Sequence, residues 1–448
     1  MRHLARTCGD NLGMRPLLRS VAWLGALALL PLAACSSGGS APKFGIKIGV
    51  DMPLSGAEGR AGTPTLNGVR FFVRQHPVLD GFNVGISALD DATKGVHDAR
   101  LGAQNITAFI NDPLVVGVIG PFDSNVARAA IPVANQAHLA MISPSASDQC
   151  LTKPVFVPAG LSTSHQTVRC NDVKLPLPAD LRPARVNNFF RLATTNDLQG
   201  AAAADYAFKN LHVLRVAALS DHEAYGQALA SGFRMRFSNL GGLVVLFRDI
   251  VPAANLDLTT FFKQAKKEGV QAIYFGGVAA NHGCSIRAQM AVAVGAAAPY
   301  LGGDGIAEDP ACVGDAGLSA PGIYATVPAI DPEQAPGAKA AIAAFKAAYP
   351  RPSDYGPYTM LAYDATAVLY DAIDKAIKGA AGKLPGRADV VAQLAATRAF
   401  AGVTGTFGFD AAGDTTHRVV SIFQSVSPDP SAPWRWAGAV DYSAKLPY

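Results

Sequence analysis

The sequence predicts an α/β protein in which two doubly wound (Rossmann-like) sheets follow one another along the chain. Three observations predict this. Short β-branched apolar runs recur, each followed by a segment with apolar residues at helical spacing. Two such strand-to-helix turns stand in succession between Val115 and Ser147. Beyond an interruption at 150–185 the same alternation starts again near Asn188. At 448 residues the chain is long enough for two or three domains and a sizeable core.

In chain order, Ile46–Leu54 opens the first sheet and Asn67–Val73 lies in the next helix. Phe82–Leu89 is a strand ending in Asp90 and Asp91, and Ala99–Ile110 is apolar at helical spacing. Val115–Ile119, closed by Gly120 and Pro121, reads as a strand buried on both faces. Asp123 and Ser124 stand where an N-cap belongs, ahead of a helix in which Pro132 predicts a kink. Leu139–Ile142 is the next buried strand, with Ser143, Pro144, Ser145 and Ser147 in the turn after it.

Residues 150–185 carry prolines at 154, 158, 176, 178 and 183 without periodicity, which predicts a surface excursion. The second series comprises strands at 188–192, 215–219, 243–249 and 272–275, alternating with helices at 199–210, 226–240, 259–268 and 286–294. Gly303-Asp304-Gly305 forms a turn after another short strand, and Ile323–Val327 precedes Pro328. The pattern is helical again at 338–349 and 355–377, then turn-rich from Phe400 to Phe409, and Val419–Val426 closes as a strand.

Composition narrows the function. Charged residues are 16% and hydrophobic ones 50%, which excludes a disordered or nucleic-acid-coating chain. The net charge of +4 comes mostly from residues 1–34, without which 34 basic side chains face 33 acidic ones. Those residues read as an export signal: Arg15 and Arg19 precede an apolar run too short for a permanent span. The run ends in Leu32-Ala33-Ala34-Cys35, which resembles the bacterial lipobox and implies lipid on Cys35 and cleavage before it. Met14 offers a second start. Residues 35–43 are expected to be a flexible tether.

Cys150, Cys170, Cys284 and Cys312 then remain in the exported part, an even number in an oxidising compartment. Three pairings can be drawn. Cys150 with Cys170 and Cys284 with Cys312 are favoured because each closes a local loop, and a zinc site lacks any C-x-x-C spacing.

Both turns of the stretch 115–147 fall at the carboxyl ends of parallel strands, where open α/β sheets place ligands. Ser124, Ser145 and Ser147 are the candidates there to hold an anion such as a carboxylate, helix capping being the alternative use of a serine. For catalysis, Ser124, His138 and Asp123 are close in sequence, but no G-x-S-x-G elbow, H-E-x-x-H or P-loop occurs. No catalytic residue, metal ligand or cofactor is assigned.

IKIGVDMPLSG, NGVRFFV, DDATKGVHDA, VVGVIGPFDSNV, MISPSAS, FRLATTNDLQG, AYGQAL, IYFGG, LGGDG, LAYDATAVLYDAI and TGTFGFDAAGD follow in order. Together they resemble the leucine/isoleucine/valine-binding family of extracytoplasmic solute-binding proteins over residues 44–426. The resemblance implies the type I periplasmic-binding-protein fold, two lobes joined by a three-segment hinge. Lobe one would be 44–192 with 328–419, and lobe two 195–326 with 422–443. The crossings would lie near 192–195, 326–328 and 419–423.

The resemblance also implies roles for residues. Ser124, Ser145 through its backbone, and Ser147 would hold an α-carboxylate, and Asp304 would balance an α-ammonium. Tyr225 and Tyr358 match aromatic walls and Phe122 an apolar one. Ala61 stands where members carry Trp, and Val278 and Ala279 where several carry Tyr, which leaves room for a larger or differently shaped ligand. Arg60 beside Ala61 is offered to a second carboxylate, with a solvated loop arginine as the alternative. The family's disulfide between these loops is missing, since Thr93 and Asp123 occupy its positions.

The expectation is therefore a monomeric, lipid-anchored receptor that binds an amino acid or similar small molecule. It would deliver this cargo to the permease and ATPase subunits of an ABC importer, with no nucleic acid involved. A sensor of the same fold signalling to a membrane partner is the alternative, and a hydrolase a more distant one.

Overall fold

Strands that are apolar on both faces need a helical layer on each side, and the repeated strand–helix alternation supplies both. The computed structural model describes residues 43–157, 167–307, 309–432 and 434–447. The export signal, Cys35 and nearly all of the tether lie outside the described residues. Among the described residues no helix is long and apolar enough to cross a membrane.

The first sheet has the order 189–191, 140–143, 115–119, 43–52, 82–90, 78–79. All its pairings are parallel except the short edge strand Val78–Leu79. Val115–Ile119 and Ala140–Ser143 are buried at every position, as their unbroken apolar runs require. The second sheet has the order 243–249, 215–220, 272–276, 300–302, 323–327, 419–424, 435–441. Its first five strands pair in parallel, and 419–424 pairs antiparallel with both 323–327 and 435–441.

The chain leaves the first sheet after Arg191 for the helix Asn196–Lys209. It leaves the second after Val327 for the helix Thr359–Gly379, which packs on the strand Val115–Ile119, and it re-enters the second at Val419. These three passages join two α/β lobes in the type I periplasmic-binding-protein fold.

The elements without a counterpart in the sequence reading include the helices Pro310–Ala316 and Arg387–Ala395, the edge strands Val78–Leu79 and Arg435–Asp441, and the short pair Ala92–Thr93 with Val96–His97. The region 400–409 is a hairpin of Phe400–Gly402 with Gly405–Phe407. The excursion contains the paired strands Val155–Val157 and Val168–Arg169. Disulfides join Cys150 to Cys170 and Cys284 to Cys312.

Candidate ligand-binding site

Because Val115–Ile119 and Ala140–Ser143 are parallel neighbours, the turns that follow them lie side by side. Gly120 has φ of +118°, and a Cβ there would stand 2.3 Å from the Asp51 carbonyl oxygen, so only glycine lets this turn pass. Serines then stitch the two turns together. The Ser143 hydroxyl donates to the Pro121 carbonyl (2.6 Å) and that of Ser145 to the Phe122 carbonyl (2.8 Å). Ser124 Oγ accepts from the Asp148 N–H at 3.1 Å. Ser147 is buried, and its carbonyl accepts from the N–H of Asn196, which opens the first helix of the second lobe (2.8 Å).

Arg191, fully buried at the end of its strand, holds this loop from behind. Its guanidinium donates to the Ala146 carbonyl (3.1 Å), the Asp148 carbonyl (2.7 Å), Thr152 Oγ1 and Asp414 Oδ1 (2.7 Å).

Opposite, Asp304 follows the strand Tyr300–Gly302 and is ringed by three donors. The Tyr225 hydroxyl donates to Oδ1 at 2.7 Å, Gln199 Nε2 to the same oxygen at 2.8 Å, and the Tyr358 hydroxyl to Oδ2. Tyr358 comes from the start of a first-lobe helix, so this last bond crosses between the lobes, and its ring meets Phe122 edge-on at 5.4 Å. Gly303 makes the approach of Tyr225 sterically open: a Cβ there would lie 2.5 Å from the tyrosine oxygen. Burial raises the Asp304 carboxyl above its ordinary range, against the lowering by the three hydrogen bonds.

Ser124 and Tyr225 line a recess with His97, Asp123, Asn125, Asp221, Glu223 and Val278, enclosing about 10 Å³, the room of one water molecule. Its charge is acidic from both lobes. Asn125 Nδ2 donates to Glu223 across the gap. Burial, reinforced by Glu58, Asp304 and Glu223, pushes Asp123 up to about 7 despite the nearby His97. Burial also lifts Asp221 to about 6, although Asn281 and two backbone N–H groups bond to it.

Not every candidate joins this group. Ala61 is exposed on the first turn of its helix and is not among the side chains lining the recess. Arg60, offered to a ligand carboxylate, instead makes a forked pair with Asp309 at 3.1 and 3.2 Å. His138 lies exposed beyond the C-terminal end of the helix that Ser124 opens, which removes it from any triad. Sequence reasoning assigned no ligand role to Gln199, Arg191, His97, Asn125 or Glu223. Gln199 and His97 lie inside motifs that were read, FRLATTNDLQG and DDATKGVHDA, but their partners are distant in sequence.

A family model described as periplasmic binding protein matches residues 45–172 and 176–429. The Leu/Ile/Val-binding protein BraC3 of Rhizobium johnstonii is 28% identical over 354 residues, 78% of this chain and 82% of its own length. The leucine-, isoleucine-, valine-, threonine-, and alanine-binding protein of Pseudomonas aeruginosa is 31% identical over 239 residues, 52% of this chain and 59% of that protein. Among solved structures, the leucine binding protein LivK of Thermotoga maritima has a TM-score of 0.69 at 23% identity, covering 88% of this chain and 98% of its own. A solute-binding protein of an ABC transporter from R. palustris, in complex with 4-hydroxybenzoate, has a TM-score of 0.69 at 17% identity, covering 89% and 97%.

Proposed function

The chain belongs to the periplasmic binding protein family, whose members are extracytoplasmic solute-binding proteins and not enzymes, and from that premise we propose that it captures an amino acid or related small carboxylate between its lobes. The lobes are 44–192 with 328–419 and 195–326 with 422–443. The captured cargo is handed to the permease and ATPase of an ABC importer, and the monomeric receptor stays at the membrane through lipid on Cys35.

The observation that carries the reading is the ring around Asp304. A partly buried carboxylate on one lobe is reached by a tyrosine from the other, with a serine-rich turn and a helix N-terminus beside that tyrosine. An α-ammonium entering the cleft takes the acceptor position that Tyr358 now occupies on Asp304. The first-turn N–H groups of the helix at Ser124, with Ser147, take the carboxylate. A cargo that touches both lobes favours the closed arrangement, whereas one that touches a single lobe has no differential affinity with which to shift it. Phe122, Tyr225 and Tyr358 shape the apolar wall. The relatives' names point to leucine, isoleucine and valine as first candidates, and the bound 4-hydroxybenzoate of one structural neighbour makes aromatic acids the next.

Thermal unfolding and calorimetry of the purified protein against these amino acids and aromatic acids test the reading. Binding of an α-amino acid at one equivalent, lost in Asp304→Ala, is expected. Binding that survives the substitution unchanged removes Asp304 from the site. Mass spectrometry of the mature chain tests the anchor: an N-terminal Cys35 carrying diacylglycerol is expected, and an unmodified cysteine refutes it.

A further inference from the structure

Five ionisable side chains converge where the strands Lys43–Met52, Phe82–Asp90 and Val115–Ile119 end. His97 Nδ1 stands 3.0 and 3.1 Å from the two Glu58 carboxylate oxygens and 3.7 Å from Asp123 Oδ1. One donor atom from each of the three lies within 4.8 Å of the other two. Asp91 and Asp51 belong to the same electrostatic cluster and have no exposed surface. Neither oxygen of Asp91 has a hydrogen-bond partner, nor do Oδ2 of Asp51 and Oδ2 of Asp123. Among the described residues, no lysine or arginine pairs with any of the five.

Four carboxyl groups against one imidazole is a costly arrangement, because a buried carboxylate without a donor is strongly destabilising. Asp91 makes the point most sharply, being wholly buried with both oxygens unpartnered and with Asp51, Asp123 and Glu58 as electrostatic neighbours of its own sign. We propose that Glu58, His97 and Asp123 form a binding site for a divalent transition-metal ion, with the buried, unpartnered carboxyl of Asp91 belonging to the same cluster.

A metal bonded at 2.0–2.2 Å holds neighbouring donor atoms about 3.0–3.5 Å apart, and the spacing around His97 Nδ1 spans that range. One imidazole nitrogen with two or more carboxylate oxygens suits Zn²⁺ or Mn²⁺ better than Ca²⁺ or Mg²⁺, which favour oxygen donors alone. His97 and Asp123 also line the recess beside Ser124. A metal there offsets the acidic charge next to the turn that receives a carboxylate. The site itself does not depend on which cargo is bound.

The test uses full-length protein without a histidine tag, stripped with chelator and titrated with ZnCl₂, MnCl₂ or CaCl₂ alone by calorimetry. One equivalent of Zn²⁺ or Mn²⁺ is expected to bind. Affinity should fall at least about tenfold in both Glu58→Gln and Asp91→Asn, with thermal unfolding in chelator showing both variants folded. Absence of binding by the wild type, binding of Ca²⁺ alone, or Zn²⁺ affinity unchanged in both folded variants would each overturn the proposal; the first outcome leaves an imidazolium paired with Glu58 and Asp123 as the sole cation of the cluster.

Discussion

Replacing Arg191 by methionine tests whether the serine turn is held from behind by one buried guanidinium. Methionine preserves much of the volume and removes all the donors. The Asp414 carboxylate then keeps Lys153, 3.9 Å away, and the Thr152 side chain, and the carbonyls of Ala146 and Asp148 lose the guanidinium. Breaking a buried pair from one side costs about 3–5 kcal/mol. A chain of 448 residues, at about 2 cal/mol/K per residue, has an unfolding entropy of about 0.9 kcal/mol/K. The expected fall in Tm is therefore about 3–6 °C by calorimetry. The pH profile adds a sign. In the wild type, burial alone would raise the Asp414 carboxyl, but the charges of Arg191 and Lys153 hold it below its ordinary range. Its contribution is thus present above the unfolded pKa of about 4 and is lost as pH falls through the folded value. In the variant the buried carboxyl has lost its main counter-charge, so its folded pKa moves up and stability falls as pH rises from about 4 toward neutrality. The deficit should be largest near pH 7 and shrink toward pH 4. A loss under 1 °C, or a deficit independent of pH over that window, refutes the assignment.

Three further outcomes follow from the same geometry. Asp304→Asn keeps the shape and removes the charge, so α-amino acid affinity should drop by about 10- to 150-fold, the worth of a charge-assisted hydrogen bond; calorimetry showing less than a twofold change contradicts it. Gly303→Ala places a methyl against the Tyr225 hydroxyl, and ligand affinity should fall while Tm moves by less than it does in Arg191→Met; unaltered affinity means that Tyr225 yields freely. Removing the Cys150–Cys170 bridge by a double serine substitution opens a loop with a sequence separation of 20 residues and should lower stability by about 3 kcal/mol, read as a shift in denaturant midpoint with an unchanged m-value. A midpoint equal to that of the wild type shows that the excursion is held by its other contacts.

Much of the fold is legible because it rests on local chemistry. Val115–Ile119 and Leu243–Asp249 are apolar or β-branched runs with turn residues at their ends, and the observed strands have those same bounds. The elements that escaped are ones whose local signal is weak. Pro310–Ala316 is a helix of seven residues, and Arg435–Asp441 is an edge strand with no fully buried position. The site was legible at the level of which turns face the cleft, and less so at the level of which atoms do what. Ser124 is a candidate through its hydroxyl, which accepts from the Asp148 N–H, and Ser145 through its backbone, while its hydroxyl donates to the Phe122 carbonyl. Arg60 was offered to a carboxylate, whereas it grips Asp309.

By itself the sequence determined the alternation of strands and helices, the succession of two sheets and the turn positions, since each depends on residues within a few places of one another, whereas the pairing of cysteines 20 and 28 residues apart was one of three that could be drawn. Tertiary structure alone decided that Gln199, Tyr225 and Tyr358 meet on Asp304, that Arg191 reaches Asp414, and that Glu58, His97 and Asp123 gather with two buried aspartates. In a parallel sheet each neighbour arrives through a crossover of a dozen or more residues. A side chain's partners are therefore set by how the layers stack, which no local pattern of residue types records.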